Sequence, residues 1–246
     1  MIQNPISTLD FHKLVSDRRS FIQTFFKIQN KEQLVVPFAF NKAQDYLFEN
    51  LPHTGRVTIL KARQMGFSTM VLALMLARAL CVPNTVCVCI SYEEDATKRL
   101  FRRLKFMYES LPPELQHRVD HNSSYELNFP DLHSNVYIGS AKSFVFGKGD
   151  TIHMMHCSEI ASWPEDKAKS IFSDINQAVP LTTGQVFLES TPEGRSGLFY
   201  TVYQDGKQGG QYKPFFFPWW WQQEYTLPRG SEHAPLESRL SFEPTD

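Results

Sequence analysis

Three features of this chain predict a three-layer α/β fold with a mainly parallel central sheet. A β-branched run, Arg56-Val-Thr-Ile-Leu60, passes through a tight loop into Met70 to Leu80, an apolar run without Gly or Pro. That order reads as strand, loop and buried helix. The next run, Thr85-Val-Cys-Val-Cys-Ile-Ser-Tyr92, is nearly all apolar, as in a strand covered on both faces, and it completes a right-handed crossover unit. Two later apolar runs, Thr151 to Glu159 and Gln185 to Thr191, supply further strands on either side of a helix from Glu165 to Ala178.

The 246 residues suffice for one large domain or two small ones. Hydrophobic residues make up 42% and charged residues 21%, an ordinary globular balance. The 25 basic residues nearly equal the 26 acidic ones, so only a local patch can argue for nucleic acid. Cys81, Cys87, Cys89 and Cys157 lie in apolar contexts without a Cys-x-x-Cys pair. Buried free thiols in a reducing compartment are therefore expected, not a zinc site. The first ten residues lack a basic region followed by an apolar core, and no apolar run reaches the ~18 residues of a membrane span.

From the N-terminus, Leu9 to Ile28 has helical apolar spacing, with Ser7 or Thr8 available as cap. A Pro-broken extended segment from Val35 then enters a helix capped by Asn41. Gln44 near its start can offer a donor and an acceptor to an adenine edge, or be an exposed helical glutamine.

The loop itself, Lys61-Ala62-Arg63-Gln64-Met65-Gly66-Phe67-Ser68-Thr69, sits where a phosphate-binding loop belongs. In the usual form backbone N–H groups cradle phosphates at a helix N-terminus, a Lys reaches the β/γ-phosphates, and Ser or Thr binds Mg²⁺. Gly66 and Ser68 keep that spacing, but Phe67 stands at the lysine position. Lys61 or Arg63 is long enough to supply the missing cation; equally, any strand-to-helix turn can contain Gly and Ser.

The helix from Glu93 to Leu111 carries an apolar stripe, with Lys98, Arg99, Arg102, Arg103 and Lys105 on its flanks and far side. That surface suits a DNA backbone or an ordinary solvated face. Pro112-Pro113 ends it, and Tyr125 to Gly139 alternates as a hairpin. Phe146-Gly-Lys-Gly-Asp150 presents Lys148 on a Gly-flanked loop.

The strand after it ends in Glu159, which delivers a carboxylate to the ligand-binding edge of a parallel sheet, where it can deprotonate an attacking water. Ser158 occupies the place of the Asp that often precedes such a Glu, as a weaker, indirect metal partner. His153 and His156, three apart on a strand, point to opposite faces and are expected as core or edge histidines. Ser190 and Thr191 would flank the same edge, and an aromatic tail follows from Gly206.

Gln44, the loop Lys61–Thr69, Cys157-Ser-Glu-Ile-Ala-Ser-Trp163, Ser190-Thr-Pro-Glu-Gly-Arg-Ser-Gly-Leu-Phe-Tyr200 and Phe217-Pro-Trp to Glu224-Tyr225 stand in an order that resembles the large terminase subunit of tailed double-stranded-DNA bacteriophages. Some members of that family have an aromatic residue at the loop-lysine position and a Lys at the first loop position. The resemblance implies a P-loop NTPase core of the ASCE/RecA-like kind at residues 1–205 and a small lid with the start of a linker at 206–246. It implies ATP and Mg²⁺ held by Gln44, Lys61 or Arg63, Gly66, Ser68 and Thr69, catalysis by Glu159, and coupling by Ser190 and Thr191. Lys148 matches the position of a basic residue that completes a neighbour's site, although family members usually have Arg there. The implied partners are double-stranded DNA, the procapsid portal, the small terminase subunit and further copies in a ring, in the host cytoplasm. Full-length members continue into a nuclease; none of its acidic strands occurs here, so no nuclease activity is expected of this polypeptide. A helicase-like or remodelling ATPase and a non-catalytic scaffold are the alternatives.

Overall fold

The computed structural model describes residues 17–52, 55–120, 125–143 and 151–222. Its elements are α1 (Arg18–Phe25), β1 (Lys27–Gln29), β2 (Val35–Pro37), α2 (Lys42–Glu49), β3 (Arg56–Lys61), α3 (Phe67–Cys81), β4 (Val86–Ser91), α4 (Glu94–Glu109), β5 (Glu126–Phe129), β6 (Ser134–Ser140), β7 (Met154–Ser158), α5 (Glu165–Ala178), β8 (Gln185–Ser190), α6 (Gly197–Lys207) and β9 (Lys213–Phe217). Seven strands form one sheet in the order β5-β6-β4-β7-β8-β3-β9, while β1 and β2 pair separately. Every pairing in the large sheet is parallel except β5 with β6. Strand β8 lies between the loop strand β3 and the acid-tipped strand β7.

Period-two alternation sorts the strand side chains into two cores. Val57, Ile59, Cys87, Cys89 and Phe187 face α1, α3 and α4; Met155, Cys157, Val186 and Leu188 face α5 and α6. Helix α3 is buried nearly all round, from Met70 to Ala77 without a break. It can be apolar on every side because the sheet covers one flank and α1 and α4 cover the others. Each fully buried Leu or Met there contributes roughly 1.5–3 kcal/mol. At the far end of β3, the buried Arg56 guanidinium donates to Asn176 Oδ1 (3.0 Å), Tyr212 Oη (3.1 Å) and the Val179 carbonyl (2.9 Å). One end of β3 is thus a structural clamp, which leaves the other for the loop.

The first helix is shorter than its apolar spacing suggests. Ser7 and Thr8 lie outside the described residues; the observed cap is Asp17, which accepts from the Arg19 amide. The helix stops at Phe25, because Phe26 turns extended and Lys27–Gln29 pairs with Val35–Pro37. The segment expected as a lid from residue 206 contains a strand. Lys213–Phe217 pairs in parallel with Val57–Lys61, so it is the edge strand of the central sheet. Residues 223–246, the rest of that segment, lie outside the described residues. No described helix is long and apolar enough to cross a membrane.

Candidate functional site

The loop between β3 and α3 owes its shape to two left-handed residues, Gln64 (φ 56°) and Gly66 (φ 77°). A Cβ at Gly66 would come within 2.7 Å of Gln44 Nε2 as well as straining that backbone. The α3 N-terminus has no side-chain cap, so its first amides remain as donors for an anion. Beneath it, α2 acts as a brace. Asn41 and Gln44 form a capping box, Asn41 Nδ2 donates to the Met65 carbonyl (3.1 Å), and Gln44 Nε2 donates to the Gly66 carbonyl (2.9 Å). The Gln44 amide therefore has one N–H and one lone pair left for a ligand. On the other side, the Ala62 amide donates to the Phe217 carbonyl, which ties the loop to β9.

Phe67 explains itself through packing. It is 1% exposed and lies 4.4 Å, centroid to centroid, from the Phe217 ring. Lys61 is buried, and its Nζ lies 2.6 Å from Glu159 Oε1 and 3.2 Å from Glu189 Oε1. Arg63 is exposed and does not line the cavity beside the loop. Burial opposes the charge on Lys61, but the Glu189 and Glu159 carboxylates outweigh it and raise its pKa.

Glu159 follows β7 in a left-handed conformation (φ 53°), a strained setting for a non-glycine residue. Its Oε2 accepts from the Thr191 amide and hydroxyl, both at 3.0 Å. Ser190 Oγ lies 3.5 Å from the same oxygen and accepts from the Ala161 amide. The tip of β8 thus grips the candidate base directly. Ser158 uses its carbonyl to accept from the Trp163 indole N–H.

Glu189 was not picked out by sequence reasoning. It is 0% exposed, its Oε1 accepts from Ser68 Oγ at 2.8 Å, and its Oε2 lies 2.7 Å from His156 Nε2. His156 Nδ1 is in turn 3.3 Å from Cys89 Sγ. Burial would raise the Glu189 pKa, but the Lys61 charge, His156 and Ser68 hold it down at about 2. At His156 burial works against an imidazolium, and Cys89 and Glu189 outweigh it, so the pKa is raised. His156 is a core histidine, as expected, yet it belongs to the site. The available signal was a lone carboxylate inside an apolar strand on the same face as Phe187, since a buried charge needs partners.

A cavity of about 860 Å³ opens over this row, large enough for a nucleotide. Gln64 to Thr69, Lys61, Gln44, Glu159 and Glu189 line it, as do Arg99, Arg102 and Arg103. The three arginines therefore line the same cavity as the loop. Arg103 is exposed by surface area, yet the concave wall strips enough water from its guanidinium to lower its pKa, against the pull of Glu189. Their neighbours Lys98 and Lys105 pair along the helix with Glu94 and Glu109. Lys148 lies outside the described residues.

No protein-family model and no curated protein matches this chain. Among solved structures it is similar to the HK97 bacteriophage large terminase, with a TM-score of 0.67 at 15% identity over 89% of this chain and 45% of that one. The Thermus phage P74-26 large terminase ATPase domain matches at 0.54 and 18% identity, over 73% of this chain and 81% of that one. The UvsW helicase from bacteriophage T4 matches at 0.51 and 15% identity, over 88% and 69%. The fold is therefore the one these structures share, a mixed α/β architecture around a mostly parallel sheet. In that fold the chain is similar to phage large terminases, and it spans less than half the length of the HK97 protein.

Proposed function

We propose that this chain is an ATP-hydrolysing motor domain of the phage large-terminase kind, which drives double-stranded DNA into a procapsid. The observation that carries the reading is the Lys61 ammonium held by Glu159 and Glu189 below the N-terminus of α3. It puts the cation, the candidate base and the loop hydroxyl around one point, although the usual loop lysine is absent.

In this mechanism the β- and γ-phosphates of ATP sit on the amides from Gly66 to Thr69, and Lys61 turns from the carboxylates to the phosphates. Gln44 is adjacent for the adenine. Glu159 accepts a proton from the attacking water as its oxygen bonds to the γ-phosphorus and the bond to the bridging oxygen breaks, which releases ADP and phosphate. The Ser68 hydroxyl and the neighbouring carboxylates are hard oxygen donors that fit Mg²⁺. Bound there, Mg²⁺ would neutralise phosphate charge. Among the described residues no group of three or more His, Cys, Asp and Glu is arranged to hold a metal. That suits a site where phosphates and water supply most ligands.

Coupling follows from the grip of Thr191 on Glu159. A carboxylate that turns toward water must loosen those bonds, and the strain passes through Pro192 to α6, which packs on β9 and β3. Arg99, Arg102 and Arg103 are the DNA candidates on the cavity wall, and Lys148 is the candidate for completing a neighbouring subunit's site. Portal, small subunit and ring assembly in the host cytoplasm belong to the same reading. The helicase reading rests on the UvsW likeness and differs in predicting strand separation.

The test is steady-state ATP hydrolysis over a range of protein concentrations, with Glu159→Gln and Lys61→Ala alongside and a duplex-unwinding assay in parallel. Turnover that rises faster than linearly and disappears in both variants, without unwinding, is expected. Unwinding by the chain would favour the helicase, and ATP binding without turnover, even with portal and DNA added, would leave a scaffold.

A further inference from the structure

Glu189 is a charge where a sheet protein has reason to avoid one. It lies in the interior of a seven-stranded sheet, and an ionised carboxylate there is strongly unfavourable unless its oxygens are bonded. Both oxygens are bonded, and to different ends. Oε2 is occupied by His156 Nε2, which is itself backed by Cys89. Oε1 points to the loop, where it meets Ser68 Oγ and Lys61 Nζ.

The register explains why this matters. Ser158, the residue beside Glu159, is the Cα partner of Glu189 across the β7–β8 pairing. A carboxylate is therefore missing at position 158 but present one strand over, at the same level of the sheet. It touches the hydroxyl that binds the cation in phosphate loops.

We propose that Glu189, reaching from β8, is the carboxylate that anchors the divalent cation at Ser68, and that His156 is its positioning residue. This rests on the nucleotide-site reading and goes beyond it by moving the metal-holding acid to another strand. By occupying Oε2, His156 holds the carboxylate in the orientation that aims Oε1 at the loop, as outer partners orient metal ligands elsewhere.

The test measures how much a divalent cation tightens nucleotide binding. A fluorescent ATP analogue is titrated into the full chain in EDTA and again in Mg²⁺, and the ratio of affinities is read; Mn²⁺ EPR of the same mixtures reports the metal directly. Glu189→Gln should lose about tenfold or more of the Mg²⁺ gain, which as a ratio is independent of any change in EDTA binding, and Ser158→Ala should keep the gain. His156→Leu should lose it, and His156→Gln, which still has an N–H, should recover it. Should Glu189→Gln fail to fold, Glu189→Asp keeps the charge with a shorter reach and should show a reduced gain. A full Mg²⁺ gain in Glu189→Gln or Glu189→Asp, or its loss in Ser158→Ala, overturns the assignment. Absence of nucleotide binding by the unsubstituted chain in both EDTA and Mg²⁺ would sink the ATPase reading itself, and this one with it.

Discussion

Replacing Lys61 by Met tests the energetics of the site apart from any activity. The substitution keeps most of the side-chain volume but removes the ammonium 3.2 Å from Glu189, which is 0% exposed. Removing one partner of a buried pair costs about 3–5 kcal/mol, because the other charge stays buried. Ser68 and His156 still hold Glu189, which argues for the low end. At about 3 kcal/mol, and about 2–4 °C per kcal/mol for a chain of this size, Tm should fall by roughly 6–12 °C. Glu159 adds little to this figure, since its side chain is 35% exposed and water screens its share. The assay is urea unfolding of the wild type, Lys61→Met, Glu189→Gln and the double variant. A coupling energy of at least about 1 kcal/mol is expected, with the double variant more stable than the two losses added together. If Lys61→Met unfolds within about 0.5 kcal/mol of the wild type and shows no coupling, Lys61 is not a buried counter-ion and the site argument fails.

Three further outcomes follow from the same geometry. Because the Glu189 pKa is held at about 2, below an ordinary carboxylate near 4.5, its stabilising contribution is complete above about pH 4.5 and is lost as the pH falls toward 2; urea midpoints at pH 6 and pH 3.5 should differ less in Glu189→Gln than in the wild type. Gly66→Ala sets a Cβ 2.7 Å from Gln44 Nε2 at φ 77°, a backbone cost of about 1–2 kcal/mol, and should weaken nucleotide binding, which calorimetry would read; unchanged affinity would argue against the loop as the phosphate site. Burial pushes the Cys81 thiol up to about 11 and Cys87 up to about 12, and the Cys157 thiol higher still, so a thiol reagent at pH 8 should modify none of the three until denaturant is added.

Much of the fold was legible because it depends on contiguous residues. The strand, loop and helix around Gly66, the Asn41 cap and the Glu165–Ala178 helix came from local propensity and spacing, and their boundaries fall within a few residues of those observed. Lys61 and Arg63 were left as alternatives, since each has the reach. The structure buries Lys61 and leaves Arg63 exposed, a difference that the spacing does not carry.

What sequence alone determined about this protein is the order of its parts: a loop with Gly66 and Ser68, an acid-tipped strand, and a Ser-Thr tip on the strand after it. Those features lie within single segments and need no partner to be recognised. Tertiary structure decided everything that depends on which strand lies next to which. The parallel pairing of Lys213–Phe217 with β3 gives the central sheet its edge strand. The α4 arginines acquired a place on the cavity only when that helix packed beside α3. Above all, Cys89, His156, Glu189 and Lys61 lie on four different strands, and strand order and register alone brought them into one bonded row. Long-range pairing is set by the summed burial of the two cores, so it has no signature in any short stretch of the chain.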